Sequence, residues 1–316
     1  MAYVLLIYRS RAFMFHSLLF ISVCLIWGST WLAMAIAIES IPPLFATGLR
    51  FIFAAPLLMA LAKWRGVSLK FTGRVGLSWV AIGYFAIPYG LMMLAEQYVS
   101  SGFAAVVFAN MPLVVMLVSM IQLRERFKLL QYAGLLAGVV AMISILLEET
   151  RIGGGNYVLG AILLGGALLM HAVFYVAVRA HFCKVHVLSF NAVPSCIAGI
   201  LLLIIGWVWE QPNLSTFGLP SIFAVLYLGV IASIGGIVAY FKLNQLSSPF
   251  QASLCFLVFP LVALLLDKLV RNQQLSEQSY WLLIPLFIGI VLCKAPSLSW
   301  AKNILIQLLV FIKCKA

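Results

Sequence analysis

The 316-residue chain predicts an all-α polytopic membrane protein, with ten transmembrane helices arranged as two inverted five-helix repeats. Three observations predict this. Hydrophobic residues fill 65% of positions and charged ones 9%, too few polar side chains to cover soluble domains, so lipid must be the solvent over most of the surface. The apolar residues form continuous runs of about 20, the length an α-helix needs to cross hydrocarbon, rather than the alternation of an outer-membrane barrel. The third is an internal repeat at a constant offset.

In chain order, residues 1–16 form a cytoplasmic segment whose Arg9 and Arg11 precede a full-length span, not the short apolar core of a cleavable signal peptide. Runs between breakers then place helices at about 17–38, 43–63, 75–97, 101–122 and 128–147, the first repeat (17–147). An external linker loop, 148–156, contains Gly153-Gly154-Gly155. The second repeat (157–298) has helices at about 157–178, 186–208, 220–241, 249–269 and 279–298. The tail 299–316, with only ten uncharged residues between Lys302 and Lys313, is too short to span and reads as an amphipathic segment on the cytoplasmic surface.

Charge fixes the orientation. With the amino terminus inside, sixteen of the 20 basic residues fall on the cytoplasmic side, among them Lys63, Arg65, Arg124, Arg126, Lys128, Lys242 and Lys294. Only Arg151, Lys268 and Arg271 fall opposite, which satisfies the positive-inside rule with both termini cytoplasmic. The net charge of +12 is therefore a topology signal and not a nucleic-acid surface. Six cysteines show no CxxC or Cys/His spacing and read as reduced packing residues. No metal or cofactor motif occurs, and "RIGGGN" lacks the Lys-Ser/Thr of a phosphate loop.

The repeat aligns "QYVSSGFAAVVFANMPLVVML" at 97–117 with "QLSSPFQASLCFLVFPLVALL" at 245–265, an offset of 148. Gln97/Gln245, Ser100/Ser248 and Pro112/Pro260 coincide, matches that apolar composition does not generate by chance. Five helices per half is an odd number, so the halves are inverted. Inverted repeats mark secondary transporters, whose binding site lies near the midplane at the seam.

Polar residues inside the spans are the candidate site. "IWGSTW" (Ile26–Trp31) interrupts helix 1, and Ser29 lies roughly 18 Å along it; Asn110 lies roughly 14 Å along helix 4. Tyr84, Pro112 and Pro260 fall at similar depth. Groups there face the bundle interior or a wet cavity, because lipid cannot satisfy them. Trp27, Ser29 and Trp31 serve either as cavity wall or as helix packing. Asn110 beside Pro112 is either a kinked gate or a structural amide, and Pro260 repeats the proline in the other half. Arg50, in helix 2, either holds an anionic group, snorkels outward, or pairs with Glu39 or Glu96. His171 and Tyr175 share one face of helix 6, and the imidazole is either a proton carrier or a packing residue. Glu96, at the outer end of helix 3, reads as a solvated end charge, and no carboxylate lies at the midplane.

Together "IWGSTW", "PPLFATGLRF" (Pro42–Phe51) and "AEQYVSSGFAAVVFANMPL" (Ala95–Leu113) resemble EamA-type permeases of the drug/metabolite transporter superfamily, over about residues 17–298. The resemblance implies a bacterial inner-membrane permease that exports amino acids or related small metabolites. It also implies a cavity lined by helices 1, 3, 4, 6, 8 and 9, with Trp27, Ser29, Trp31, Tyr84, Asn110, His171, Tyr175, Ser233, Tyr240 and Ser253 as wall residues. Pro112 and Pro260 would mark symmetric gates, and Arg50 and Glu96 are the candidate charge sites. The expected partners are a small-molecule substrate, the bilayer and a coupling proton, with no nucleic acid and no cofactor, as monomer or homodimer. A membrane-embedded enzyme is the competing class. The chain lacks paired intramembrane Asp, an HExxH motif and paired haem histidines, which leaves a Ser29/His171 dyad as its one chemical option. A structural or sensory membrane protein is the third.

Overall fold

In the computed structural model the described residues are 2–70, 73–181, 186–246, 252 and 254–294, and among them the secondary structure is helical, without strands. The order is α1 (Ala2–Ala37), α2 (Pro43–Trp64), α3 (Arg74–Val80), a π-helical turn (Ala81–Ala86) and α4 (Ile87–Ala95). Then come α5 (Ser101–Ala109), α6 (Met111–Gln122), α7 (Leu129–His181) and α8 (Val187–Glu210). A second π-helical turn (Leu228–Gly235) joins α9 (Leu219–Tyr227) to α10 (Gly236–Leu246), and α11 (Cys255–Arg271) and α12 (Glu277–Lys294) follow. Among these residues eight stretches are long and apolar enough to cross a membrane, and Glu277–Cys293 is a shorter apolar helix. The tail 299–316 and Ser253 lie outside the described residues.

The exterior is apolar on a helical period. Leu18, Ile21 and Leu25 of α1, and Leu136, Val140, Ile143 and Leu147 of α7, recur at three- and four-residue intervals and are all exposed. In water such stripes would be buried; here they are the faces turned to lipid. Inside, where oil-to-oil transfer supplies no hydrophobic drive, small residues let backbones meet. A Cβ on Gly199 would stand 3.2 Å from the Gly48 carbonyl, which fixes α8 against α2. A Cβ on Gly289 would stand 2.6 Å from both the Gly134 carbonyl and the Gly138 nitrogen, which locks α12 against the start of α7.

Residues 148–156 are not the irregular loop expected from Gly153-Gly154-Gly155. The helical assignment of α7 runs straight through them. The chain nevertheless doubles back there. Met142 and His171 both reach α5 and its C-terminal cap: the Asn110 amide lies 2.9 Å from the Met142 sulfur, and the Phe108 and His171 rings are 5.9 Å apart. A straight helix would separate Met142 from His171 by about 43 Å. Thr150 bonded to the Leu146 carbonyl and the Glu148–Arg151 pair carry helical geometry into the bend, and at Gly153 a Cβ would stand 2.5 Å from the Tyr157 ring.

Helix 4 of the sequence reading is broken in two at Asn110, while the proline-bearing part of helix 9 runs unbroken through Pro260, so the two proline sites are not symmetric. The reason is local. The Asn110 side chain donates to the Val106 and Val107 carbonyls of the turn that ends at the break, a service Val258, its counterpart at offset 148, cannot perform.

Acidic side chains stitch one face of the bundle. Glu210, ending α8, accepts from the Leu44 and Phe45 nitrogens at the start of α2, both at 2.9 Å. Asp267 of α11 accepts from the Gly102 nitrogen at 2.9 Å, in the first turn of α5. Glu149 of α7 accepts from the Ser276 nitrogen at 2.9 Å, just before α12. Each carboxylate thus satisfies orphan donors at another helix's positive end. We call this the acidic face. The opposite, basic face carries Lys63, Arg65, Arg124, Arg126, Lys128 and Lys242.

Candidate functional site

A cavity of about 640 Å³ occupies the middle of the bundle and reaches toward the basic face. Tyr175, Val187 and Asn191 stand on that side, and Tyr175 is 46% exposed. Toward the acidic face the bundle is solid: Ala95, the run Phe103–Val106 and Ile145 have no exposed surface at all.

The walls are aromatic. Trp27 packs against Tyr240 with ring centroids 4.7 Å apart and edge-on to Phe256 at 5.6 Å. Its α1 backbone is drawn close to α11 because Gly28 has no Cβ; one would meet Val262 at 2.6 Å. Trp31 leans on Phe108 at 5.0 Å. Across the cavity, His171 presents its ring edge-on to Tyr84, Tyr89 and Phe108, at 5.2, 5.1 and 5.9 Å. Tyr84 in turn meets Phe190 at 5.3 Å. T-shaped packing of this kind fixes ring planes while leaving flat faces available.

Two wall segments are π-helical, and they correspond. Adding 148 to Ala81–Ala86 gives 229–234, inside the second π turn Leu228–Gly235. Tyr84 and Phe85 line the cavity from the first, Ala232 and Ser233 from the second. A π turn holds one residue more than an α turn and is frequent at functional sites. Nothing in hydrophobic periodicity announces it, so the sequence gives no warning.

Arg50 is the one fixed positive charge among the described lining residues, and no Asp or Glu is among them. It is 5% exposed. Its Nε donates to Ser233 Oγ at 3.3 Å, across from α2 to the second π turn, and its guanidinium carbon lies 5.0 Å over the Tyr89 ring. Ser233 is itself held, donating to the Leu228 carbonyl at 2.8 Å. Neither Glu39 nor Glu96 pairs with Arg50: among the described residues the one salt bridge is Glu148–Arg151.

The sequence candidates therefore divide. Trp27, Trp31, Tyr84, His171, Tyr175, Ser233, Tyr240, Pro112 and Arg50 line one cavity. Ser29 does not: its hydroxyl donates to the Leu25 carbonyl at 2.6 Å and meets the Tyr227 hydroxyl at 2.6 Å, so it ties α1 to α9, and Thr30 faces the cavity instead. With that hydroxyl engaged by Tyr227, no Ser29/His171 dyad is built. Asn110 is buried, bonded to its own helix and to Met142, and contributes no wall. Pro260 is buried inside α11. Glu96 is not a solvated end charge but 5% exposed, with neither carboxylate oxygen partnered. Phe51, Tyr89, Phe190, Asn191 and Ser195 also line the cavity and were missed; they sit on helices whose lipid and cavity faces are equally apolar, so only Asn191 and Ser195 carried a polar signal.

Comparison with known proteins agrees with this architecture. A model of the EamA-like transporter family matches twice, over residues 14–147 and 158–294. Protein PagO of Salmonella typhimurium is 47% identical over 87% of this chain and 91% of its own length. An uncharacterized transporter of Buchnera aphidicola (subsp. Schizaphis graminum) is 39% identical over 91% of this chain and 96% of its own. The inner membrane transporter YedA of Escherichia coli K12, itself uncharacterized, is 29% identical over 85% and 87%. A crystal structure superposes with a TM-score of 0.64 at 21% identity over 88% of this chain and 95% of that one, a likeness of fold alone. With both halves matched and relatives this similar along nearly the whole length, the chain belongs to the EamA-like transporter family, as a multi-pass membrane protein.

Proposed function

We propose that the protein is a secondary transporter that exports amino acids or related small metabolites across the bacterial inner membrane by alternating access, with both termini cytoplasmic. The observation that carries this reading is the cavity itself: it is built from both halves, sealed toward the acidic face and reaching toward the basic one. With the basic face in the cytoplasm, as the charge bias argues, that is the state in which an exporter loads. Rocking one half against the other would then break the acidic-face contacts and close the cavity mouth. The name of YedA, an inner membrane transporter, supports the location.

Comparing metabolite pools inside cells and in the medium, with and without the protein, tests the reading. A chemically coherent set should shift outward when the protein is present, and the purified protein in liposomes should carry members of that set. Identical pools with the protein demonstrably in the membrane, and no flux in liposomes, would overturn it.

A further inference from the structure

Resting on that transport reading, and narrowing its cargo from amino acids to related metabolites that lack an ammonium group, we infer that the cavity selects small organic molecules of net negative charge, with a carboxylate-like group on Arg50 and a flat apolar body against the rings. The starting point is an imbalance of charge. The described lining residues offer one permanent cation and no carboxylate, in a wall otherwise made of rings and aliphatic side chains. Arginine keeps its proton at any working pH, so this charge is fixed.

Arg50 is aimed rather than merely present. Ser233 holds its Nε, the guanidinium carbon lies over the Tyr89 ring, and the side chain lines the cavity, with no hydrogen bond from its terminal nitrogens to a described residue. They present a planar pair of donors to the cavity, the geometry a carboxylate accepts from two sides at once. The acids that might have neutralised Arg50 are committed elsewhere. Glu210, Asp267 and Glu149 hold backbone nitrogens at the acidic face, and Glu96 lies outside the cavity lining, beside Asp267 and Arg271.

Each alternative cargo fails on the same ground. A neutral molecule would displace the water around Arg50 and leave a buried charge unpaired. An organic cation would add like charge beside it. A zwitterion could place its carboxylate on Arg50, but its ammonium would find ring faces in place of a carboxylate, an attraction weaker than a full ion pair and than the hydrogen bonds it gives up in leaving water. The anion alone leaves no charge unanswered. Because Arg50 comes from the first half and its anchor Ser233 from the second, cargo on Arg50 also touches the joint between them.

A matched series sharing one ring tests this: 3-phenylpropionate (anion), 3-phenylpropanamide (neutral), phenylalanine (zwitterion) and 2-phenylethylamine (cation). Binding is measured by calorimetry on the purified full-length protein in nanodiscs. The anion should bind about tenfold or more tighter than the amide, the worth of a charged hydrogen bond. The zwitterion should fall between them, and the cation should bind weakest. Arg50→Gln should bring anion and amide to equal affinity, with the amide bound at least as tightly as by the wild type because no buried charge is then left unpaired, and a cooperative thermal unfolding transition in the nanodisc establishes that the variant is folded. Arg50→Lys should keep part of the preference. Equal binding of amide and anion, tighter binding of the cation, binding of none of the four, or an anion preference that survives Arg50→Gln would each overturn the inference. Counterflow in liposomes separates the two claims. Anion-selective, Arg50-dependent binding without counterflow sinks transport and leaves the site. Counterflow of the amide or amine but not the anion sinks the site and leaves transport.

Discussion

The two ends of the bundle are built on opposite rules. At the acidic end, packing is complete: Phe103 and its neighbours have no exposed surface, and carboxylates close helix termini with 2.9 Å bonds. At the basic end the helices stand apart around Tyr175, Val187 and Asn191, and the basic residues there, Lys63, Arg65, Arg124, Arg126, Lys128 and Lys242, are exposed without a salt bridge among the described residues. Under the proposed alternating access, the sealed end holds the contacts that an outward-open state would give up, so weakening that end should shift the balance without touching the cavity.

Truncation is expected to separate the ends most clearly. Phe103→Ala should cost about 3–5 kcal/mol, the usual loss for a fully buried aromatic, read from thermal unfolding in detergent. Tolerance of that change would mean the acidic end is not the stable one. Asp267→Ala should cost about 1–3 kcal/mol, since the Gly102 nitrogen loses its acceptor in a dry site.

Glu96 sharpens the contrast through pH. It lies in the turn after the third span, where burial first, and Asp267 second, hold its carboxyl well above the usual value of 4.5, with Arg271 opposing. Glu149, Tyr157 and Tyr280 complete the ionisable surroundings of that corner, each linked to Asp267 or to one another. A carboxyl whose folded pKa is raised costs stability once pH exceeds its unfolded value, and the cost grows until pH passes the folded one. Wild type should therefore lose stability relative to Glu96→Gln as pH climbs upward from about 5; parallel melting curves would show that Glu96 is hydrated after all. Smallest of all, Tyr175→Ala at the mouth should change stability by about 0.5 kcal/mol or less while altering ligand affinity.

How much of this was legible depended on which dimension the sequence encodes. Helix identity and depth follow from runs and rise per residue, so the spans and the central placing of Trp27, Trp31 and Tyr84 could be read directly. Azimuth could not. Ser29 and Thr30 differ by about 100° around α1, and that rotation sends one to Tyr227 and the other to the cavity. The Gly134/Gly138 pair was readable as a close-packing motif and passed unnoticed among other small residues. The acid caps were legible only as external charges, because their partners are backbone nitrogens of helices distant in sequence. The π turns have no sequence signature at all.

The π turns fall at the same place in both halves, and so do the left-handed residues Arg124 and Asn272, with φ of 53° and 54°, again 148 positions apart. Tyr84 in one turn corresponds to Ala232 in the other, so what the halves share at the cavity is the path of the backbone and not the side chains it carries.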